Sequence, residues 1–265
     1  MFILLTLMLH VAAAEPTAVA SPSTVSFVSQ GKERSYELYV PASANPQAPL
    51  LLLLHGSGGV GRNMVTLWRD LADREGIVLA APSAHDNLYW HVRDDGPGFF
   101  RDLVESVGAR ASIDPRRVYL FGHSGGAVYV LTLALLESEY FAGAAVHAGA
   151  WRTPREFAVL AHAKRRIPVA LFMGNRDPFF PVKSVRETDA LLREHGHPTL
   201  LRVIPRHRHH YARAAAQVND EAWQFLREVS LNAAPRFQSY ESRRETGKAT
   251  LPPGEPDDEQ PIESR

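Results

Sequence analysis

Residues 50–54 are five consecutive leucines, preceded by Pro49 and followed by His55-Gly56-Ser57-Gly58-Gly59. A run that is apolar at every position has no polar face to turn toward water. A strand built from it must be covered on both sides, as in a parallel sheet layered by helices. Similar runs recur at 77–82, 117–122, 143–147, 167–173 and 200–205, while 23–30 and 34–40 alternate like a hairpin turning near Gly31. Eight strands are therefore expected. The intervals 63–74, 98–110, 125–138, 154–163, 182–195 and 212–229 carry helical spacing. An antiparallel start followed by strand–helix repeats predicts an α/β fold: an eight-stranded, mostly parallel sheet with helices on both faces. In such sheets the chemistry sits beyond the carboxyl ends of the strands.

Composition narrows the classes of function. A chain of 265 residues suits one α/β domain. Its 29 basic and 29 acidic side chains cancel, so there is no long-range attraction to nucleic acid or anionic membranes, and no nucleic-acid partner is expected. The absence of cysteine removes disulfides, thiolate metal sites, iron–sulfur clusters and a cysteine nucleophile. Covalent catalysis would have to use another residue.

The ends read differently from the middle. Residues 2–14 are apolar apart from Thr6 and His10, a run shorter than the ~20 residues a membrane-spanning helix needs. Two sites of the small-x-small type follow, at Ala12-Ala13-Ala14 and Ala18-Val19-Ala20, and residues 1–20 are expected to be a secretory signal. Export to the periplasm or medium follows, with no stable membrane insertion after cleavage; a cytoplasmic location is the alternative if the segment is not a functional signal. Residues 23–231 form the expected domain. From 232 to 265 the sequence loses periodicity and fills with Pro, Glu, Arg, Ser and Asp, which predicts a disordered tail.

The motif with chemical meaning is Gly122-His123-Ser124-Gly125-Gly126, between the strand-like Val118-Tyr119-Leu120-Phe121 and the helical Ala127-Val128-Tyr129-Val130-Leu131. In Gly-x-Ser-x-Gly the serine sits at the tip of a sharp strand-to-helix turn with strained backbone angles, and the flanking glycines let strand and helix pass closely. The turn also puts Ser124 at a helix N-terminus, where free N–H groups favour a developing anion. A second glycine-rich turn, His55-Gly56-Ser57-Gly58-Gly59, lacks the spacing of a dinucleotide or phosphate loop. It suits an oxyanion hole, for which the backbone amides of Ser57 and Gly125 are the expected donors. His55 is expected to be a structural brace.

A nucleophilic serine needs a base, and the base an orienting acid, in the chain order serine, acid, histidine. Asp177 lies in Gly174-Asn175-Arg176-Asp177-Pro178, directly after the 167–173 strand. After the last strand comes Arg206-His207-Arg208-His209-His210-Tyr211, in which His209 is the first candidate base and His207 the second. No second ligand cluster accompanies these histidines, so no metal site is expected. The aromatic and imidazole side chains of Trp90, His91, Trp151, Phe179 and Phe180 lie on loops after strands, where they could line a pocket or pack inward.

Taken together, these motifs resemble the α/β-hydrolase fold, and within it the secreted esterases related to polyhydroxybutyrate depolymerases and feruloyl esterases. The resemblance runs from about residue 25 to 228. It rests on His55-Gly56-Ser57-Gly58-Gly59, on Ile113-Asp114-Pro115-Arg116-Arg117-Val118-Tyr119 ahead of Gly122-His123-Ser124-Gly125-Gly126, on Asp177, and on His209-His210-Tyr211. The last pattern is also similar to the catalytic-histidine loop of the S-formylglutathione hydrolases, which favours His209. The resemblance implies a serine hydrolase with Ser124, Asp177 and His209 as its triad and no cofactor. It also implies hydrolysis of a small, hydroxyacyl or aromatic carboxylic ester through an acyl-enzyme. No lid domain is visible, and many secreted members carry cysteines that are absent here. A dienelactone-hydrolase- or peptidase-like serine hydrolase, or an inactive binding protein of the same fold, are the alternative readings.

Overall fold

The structure, a computed structural model, describes residues 21–86 and 88–237. The expected signal segment, 1–20, and residues 238–265 of the expected tail lie outside the described residues.

The hairpin forms first in chain order. Strand β1 (Ser23–Ser29) turns into β2 (Lys32–Tyr39) through Gln30 and Gly31, at φ 50° and 78°. Two successive positive φ values make the turn whose twist matches the strands it joins. The chain continues through β3 (Ala48–Leu54), α1 (Gly61–Glu75), β4 (Val78–Pro82), α2 (Pro97–Gly108), β5 (Ile113–His123) and α3 (Gly125–Leu136). It closes with β6 (Gly143–His147), α4 (Pro154–Phe157), β7 (Val169–Gly174), α5 (Val182–Glu194), β8 (Thr199–Ile204) and α6 (Ala215–Leu226). All eight strands join one sheet in the order β1-β2-β4-β3-β5-β6-β7-β8. Strand β2 is antiparallel to β1 and β4, and every pairing from β4 to β8 is parallel.

The five leucines behave as their pattern requires. Leu50, Leu52 and Leu54 belong to the core on one face of the sheet, with side chains of α2, α3 and α5. Leu51 and Leu53 belong to the core on the other face, with α1 and α6. None of the five is exposed at all. Each buried leucine contributes about 2 kcal/mol of transfer free energy, before the entropy of ordering the chain is counted against it. Helix α1 reaches its core through Met64, Val65, Trp68, Leu71 and Ala72, an apolar stripe at helical spacing, and stops at Gly76, whose φ of 68° suits glycine.

Three expectations need correction. The helix expected over 154–163 is one turn of α-helix followed by a 3-10 helix, Ala158–His162. The helix expected over 212–229 starts as a 3-10 turn, Tyr211–Arg213, and is regular only from Ala215 to Leu226. The expected domain end at 231 falls six residues early. Arg236 N–H donates to Glu139 O at 3.1 Å, and Phe237, only 8 % exposed, packs its ring 3.8 Å from that of Tyr140. A lone aromatic in a polar stretch has no periodicity to announce it, yet one buried ring holds the segment down. Among the described residues no helix is long and apolar enough to cross a membrane.

Candidate active site

Registers across the sheet bring the loops together. Leu54 on β3 pairs with Gly122 on β5, His123 on β5 with His147 on β6, and Gly174 on β7 with Ile204 on β8. The ends of β3, β5, β6, β7 and β8 therefore open onto one edge.

Ser124 stands at the tip of the β5–α3 turn with φ 55° and ψ −121°, a conformation a non-glycine residue adopts only at a cost of roughly 1–3 kcal/mol. Close packing holds it there. A Cβ on Gly122 would lie 2.3 Å from the Gly126 carbonyl oxygen, and one on Gly126 would lie 2.4 Å from that of His55. Neither position can carry a side chain. The Ser124 amide donates to His147 O at 3.0 Å.

The Ser124 hydroxyl lies 2.8 Å from His209 Nε2, and His209 Nδ1 lies 2.7 Å from Asp177 Oδ2. Chemistry assigns the protons: a carboxylate only accepts, so Nδ1 carries hydrogen and Nε2 offers its lone pair to the hydroxyl. Asp177 Oδ1 accepts the amides of Phe179 and Phe180 at 2.9 and 3.0 Å. Its side chain is fully buried while that of His209 is 17 % exposed. Burial alone would raise the Asp177 carboxyl. The hydrogen bond from His209 and the two amides outweigh it and hold the group below the usual carboxylate range.

The two expected oxyanion donors are neighbours. A Cβ on Gly125 would stand 2.9 Å from Ser57 Oγ and 3.6 Å from Ser57 N. His55, 2 % exposed, ties this turn to the next loop: Nδ1 donates to Gly56 O at 2.7 Å and Nε2 accepts the Ala84 amide at 3.0 Å. Burial lowers its pKa, which keeps the ring neutral and able to do both. The Trp90 indole donates to His55 O at 2.9 Å and stacks on Tyr129 at 5.9 Å.

His207, the other candidate base, is placed elsewhere. Its Nε2 lies 3.1 Å from His147 Nε2, and His147 Nδ1 lies 3.0 Å from His123 Nδ1. His123 Nδ1 also faces the His147 carbonyl at 3.3 Å, which only accepts. The proton therefore belongs on His123 Nδ1. His147 then accepts at Nδ1 and donates from Nε2 to His207. Burial is the main cause that lowers all three, His123 to about 4 and His147 well below the ordinary value, so the chain of imidazoles is neutral. His123 lies 5.0 Å from the His209 ring, and Tyr211 packs on both His123 and His147.

Sequence reasoning did not single out His123 or His147, although a histidine closing the apolar 143–147 strand on the carboxyl edge was a signal. It also missed Asp95, fully buried, which accepts from Arg34 at 2.7 Å and from the amides of His85 and His91 at 3.1 Å, tying down the loop that bears Trp90. Of the loop residues that could line a pocket or pack inward, Trp151 packs inward and is fully buried in the core. His91 is half-buried and its Nε2 lies 3.3 Å from Asp86 Oδ2. Phe179, 61 % exposed, places its ring 4.7 Å from that of His209, and Phe180 lies parallel to the same imidazole at 6.1 Å.

Residues 99–220 match the family model described as Phospholipase/Carboxylesterase. A protein of Nocardia uniformis subsp. tsuyamanensis that is an esterase by name, NocK, is 30 % identical over 203 residues, covering 70 % of this chain and 58 % of that protein. A poly(3-hydroxybutyrate) depolymerase of Ralstonia pickettii is 32 % identical over 172 residues, covering 53 % of this chain and 34 % of its own length. The chain thus spans between a third and three fifths of these relatives. Among solved structures, an S-formylglutathione hydrolase from Agrobacterium tumefaciens superposes with a TM-score of 0.63 at 17 % identity, covering 82 % of this chain and 98 % of that one. The LpqC poly(3-hydroxybutyrate) depolymerase from Bordetella parapertussis gives 0.60 at 18 % identity, covering 77 % and 89 %. At these identities the superpositions speak for the fold. Sheet order, the strand–turn–helix setting of Ser124 and the superpositions agree that the chain has the α/β-hydrolase fold, and the proteins it resembles in sequence include esterases.

Proposed function

We propose that the protein hydrolyses carboxylic esters through an acyl-enzyme on Ser124. The observation that carries this reading is the unbroken hydrogen-bonded line from the Ser124 hydroxyl through His209 to Asp177. His209 Nε2 takes the hydroxyl proton as Ser124 Oγ attacks the ester carbonyl. Asp177 stabilises the imidazolium and holds its tautomer. The amides of Ser57 and Gly125 receive the oxyanion, each such donor being worth roughly 3 kcal/mol in the transition state. His209 returns the proton to the leaving alcohol, and water, activated by the same imidazole, then releases the acid. The protein's own groups supply every proton transfer and no cofactor is called for.

Exposed Phe179, backed by the buried ring of Phe180, forms an apolar wall beside His209. That wall suits a small, hydroxyacyl or aromatic ester, in keeping with the ester chemistry in the name of the poly(3-hydroxybutyrate) depolymerase that the chain resembles. We read residues 1–20 as an export signal, which N-terminal sequencing of the secreted protein tests directly.

The test of the reaction is hydrolysis of 4-nitrophenyl acetate and butyrate by the wild type and Ser124→Ala. Loss of the nucleophile should cost about 10⁶-fold in kcat, and a fluorophosphonate should label Ser124 in the wild type. Full activity in Ser124→Ala would remove the mechanism. His209→Ala should match the serine variant, and His207→Ala should not.

A further inference from the structure

The site has a cationic neighbour that the proposed chemistry does not use. Arg152 follows β6, is exposed, and carries its guanidinium carbon 4.9 Å from the centre of the Phe180 ring. The same ring lies parallel to His209 at an interplanar angle of 12°. One aromatic side chain is thus in contact with both the guanidinium and the imidazole.

The guanidinium has no carboxylate partner among the described residues. The natural one, Glu156, stands four residues on, where an ion pair along a helix would form. It is occupied instead: Glu156 Oε2 accepts the Arg152 and Thr153 amides at 2.7 Å each and the Thr153 hydroxyl at 2.9 Å. The reciprocal bond from Glu156 N to Thr153 Oγ1 completes a capping box at the start of α4. The turn therefore consumes its acid and leaves its base free, held in place by the ring beneath it.

The surroundings carry the same sign. Residues 174–181 and 205–214, the loops that bear Asp177 and His209, contain Arg176, Arg206, Arg208 and Arg213 and one carboxylate, Asp177. That carboxylate is buried and bonded to His209. All four arginines are exposed, and none forms an ion pair among the described residues. In a chain of zero net formal charge, this edge of the site is locally positive.

We propose that the site takes anionic esters, with the ester carbonyl at Ser124, the connecting chain along exposed Phe179 and the rim of the buried Phe180 ring, and a terminal carboxylate at Arg152. This rests on the reading of Ser124 as nucleophile and names the substrate class for it. Arginine suits the task because its planar fork grips a carboxylate with two parallel hydrogen bonds and is never deprotonated.

A matched pair of substrates tests it: 4-nitrophenyl valerate and the 4-nitrophenyl monoester of glutaric acid, alike in chain length and different in the terminal carboxylate. In Arg152→Gln the glutarate-to-valerate ratio of kcat/KM should fall about tenfold or more, chiefly through KM on the glutarate ester. Arg152→Lys should restore part of the ratio, and added salt should lower it in the wild type. A ratio unchanged by Arg152→Gln overturns the anion subsite and leaves the esterase reading standing. Failure of the wild type to cleave either ester, with no fluorophosphonate labelling of Ser124, overturns both.

Discussion

Ser124 and His209 are held in place by different physics. On the side of β3 and β5 the backbone does the positioning: Gly122 and Gly126 let α3 press against the strands so closely that a single methyl group would collide with a carbonyl oxygen. On the side of β7 and β8 side chains do it. Asp177 is fixed by two amides, and the loop carrying His209 is tied at His207 to buried His147 and thence to His123. Steric positioning fails all at once when it is breached. Positioning through hydrogen bonds is graded, and it is open to pH.

After removal of Ser124 or His209 itself, the largest expected effect comes from Asp177. Asp177→Asn keeps an oxygen for the Phe179 and Phe180 amides, so the fold should survive with an unchanged circular-dichroism spectrum. Its amide NH2 faces His209 Nδ1 and imposes the wrong tautomer, and kcat on 4-nitrophenyl butyrate should fall about 10⁴-fold. Gly126→Ala tests the other side. Its Cβ would meet the His55 and Leu54 carbonyl oxygens at 2.4 and 2.6 Å, so stability measured by urea unfolding should drop by about 3 kcal/mol or more. If Gly126→Ala unfolds like the wild type, the contrast between the two sides collapses.

The imidazole chain gives an intermediate effect with a sign in pH. An unfolded histidine protonates near 6.5, whereas His123 in the fold resists down to about 4 and His147 and His207 are also lowered. Below pH 6.5 the unfolded chain therefore binds more protons, and stability falls as pH drops. Asp177, held low, adds a loss at still lower pH as it protonates through its folded value. His147→Phe should flatten the decline in Tm between pH 7 and 5 and lower kcat about tenfold by loosening the His209 loop. An unaltered pH slope would show that these imidazoles do not set acid stability. The smallest expected effect is at the chain's far end: Phe237→Ala should cost about 2 kcal/mol in thermal unfolding, with kcat untouched.

These two modes of positioning also explain what could be read in advance. The glycines that flank Ser124 are a local steric requirement written in consecutive letters, and the five leucines state a doubly buried strand just as locally. Asp177 was legible because a strand end followed by proline marks a fixed place in the topology. The choice between His209 and His207 was not resolvable from their own residues, since they stand two apart on one loop. Only the path of that loop sends one ring to Ser124 and the other to His147. Trp151, after a strand, could have lined a pocket or packed inward, and the fold buries it completely in the core. Phe237, alone in a polar stretch, could not be told from the tail that follows it.

By itself, the sequence determined the layered sheet, the hairpin at its edge and the turn that presents Ser124, because each depends on sterics or hydrophobic periodicity within a few neighbouring residues. The tertiary structure alone decided which imidazole meets the serine, that His123, His147 and His207 join in a neutral chain, and that Arg152 is left without its acid. The first two need contacts between groups far apart along the chain; His147 and His207, for instance, are separated by 60 residues. The last needs a carboxylate to choose between a side chain and a backbone turn, a competition settled only when the turn folds.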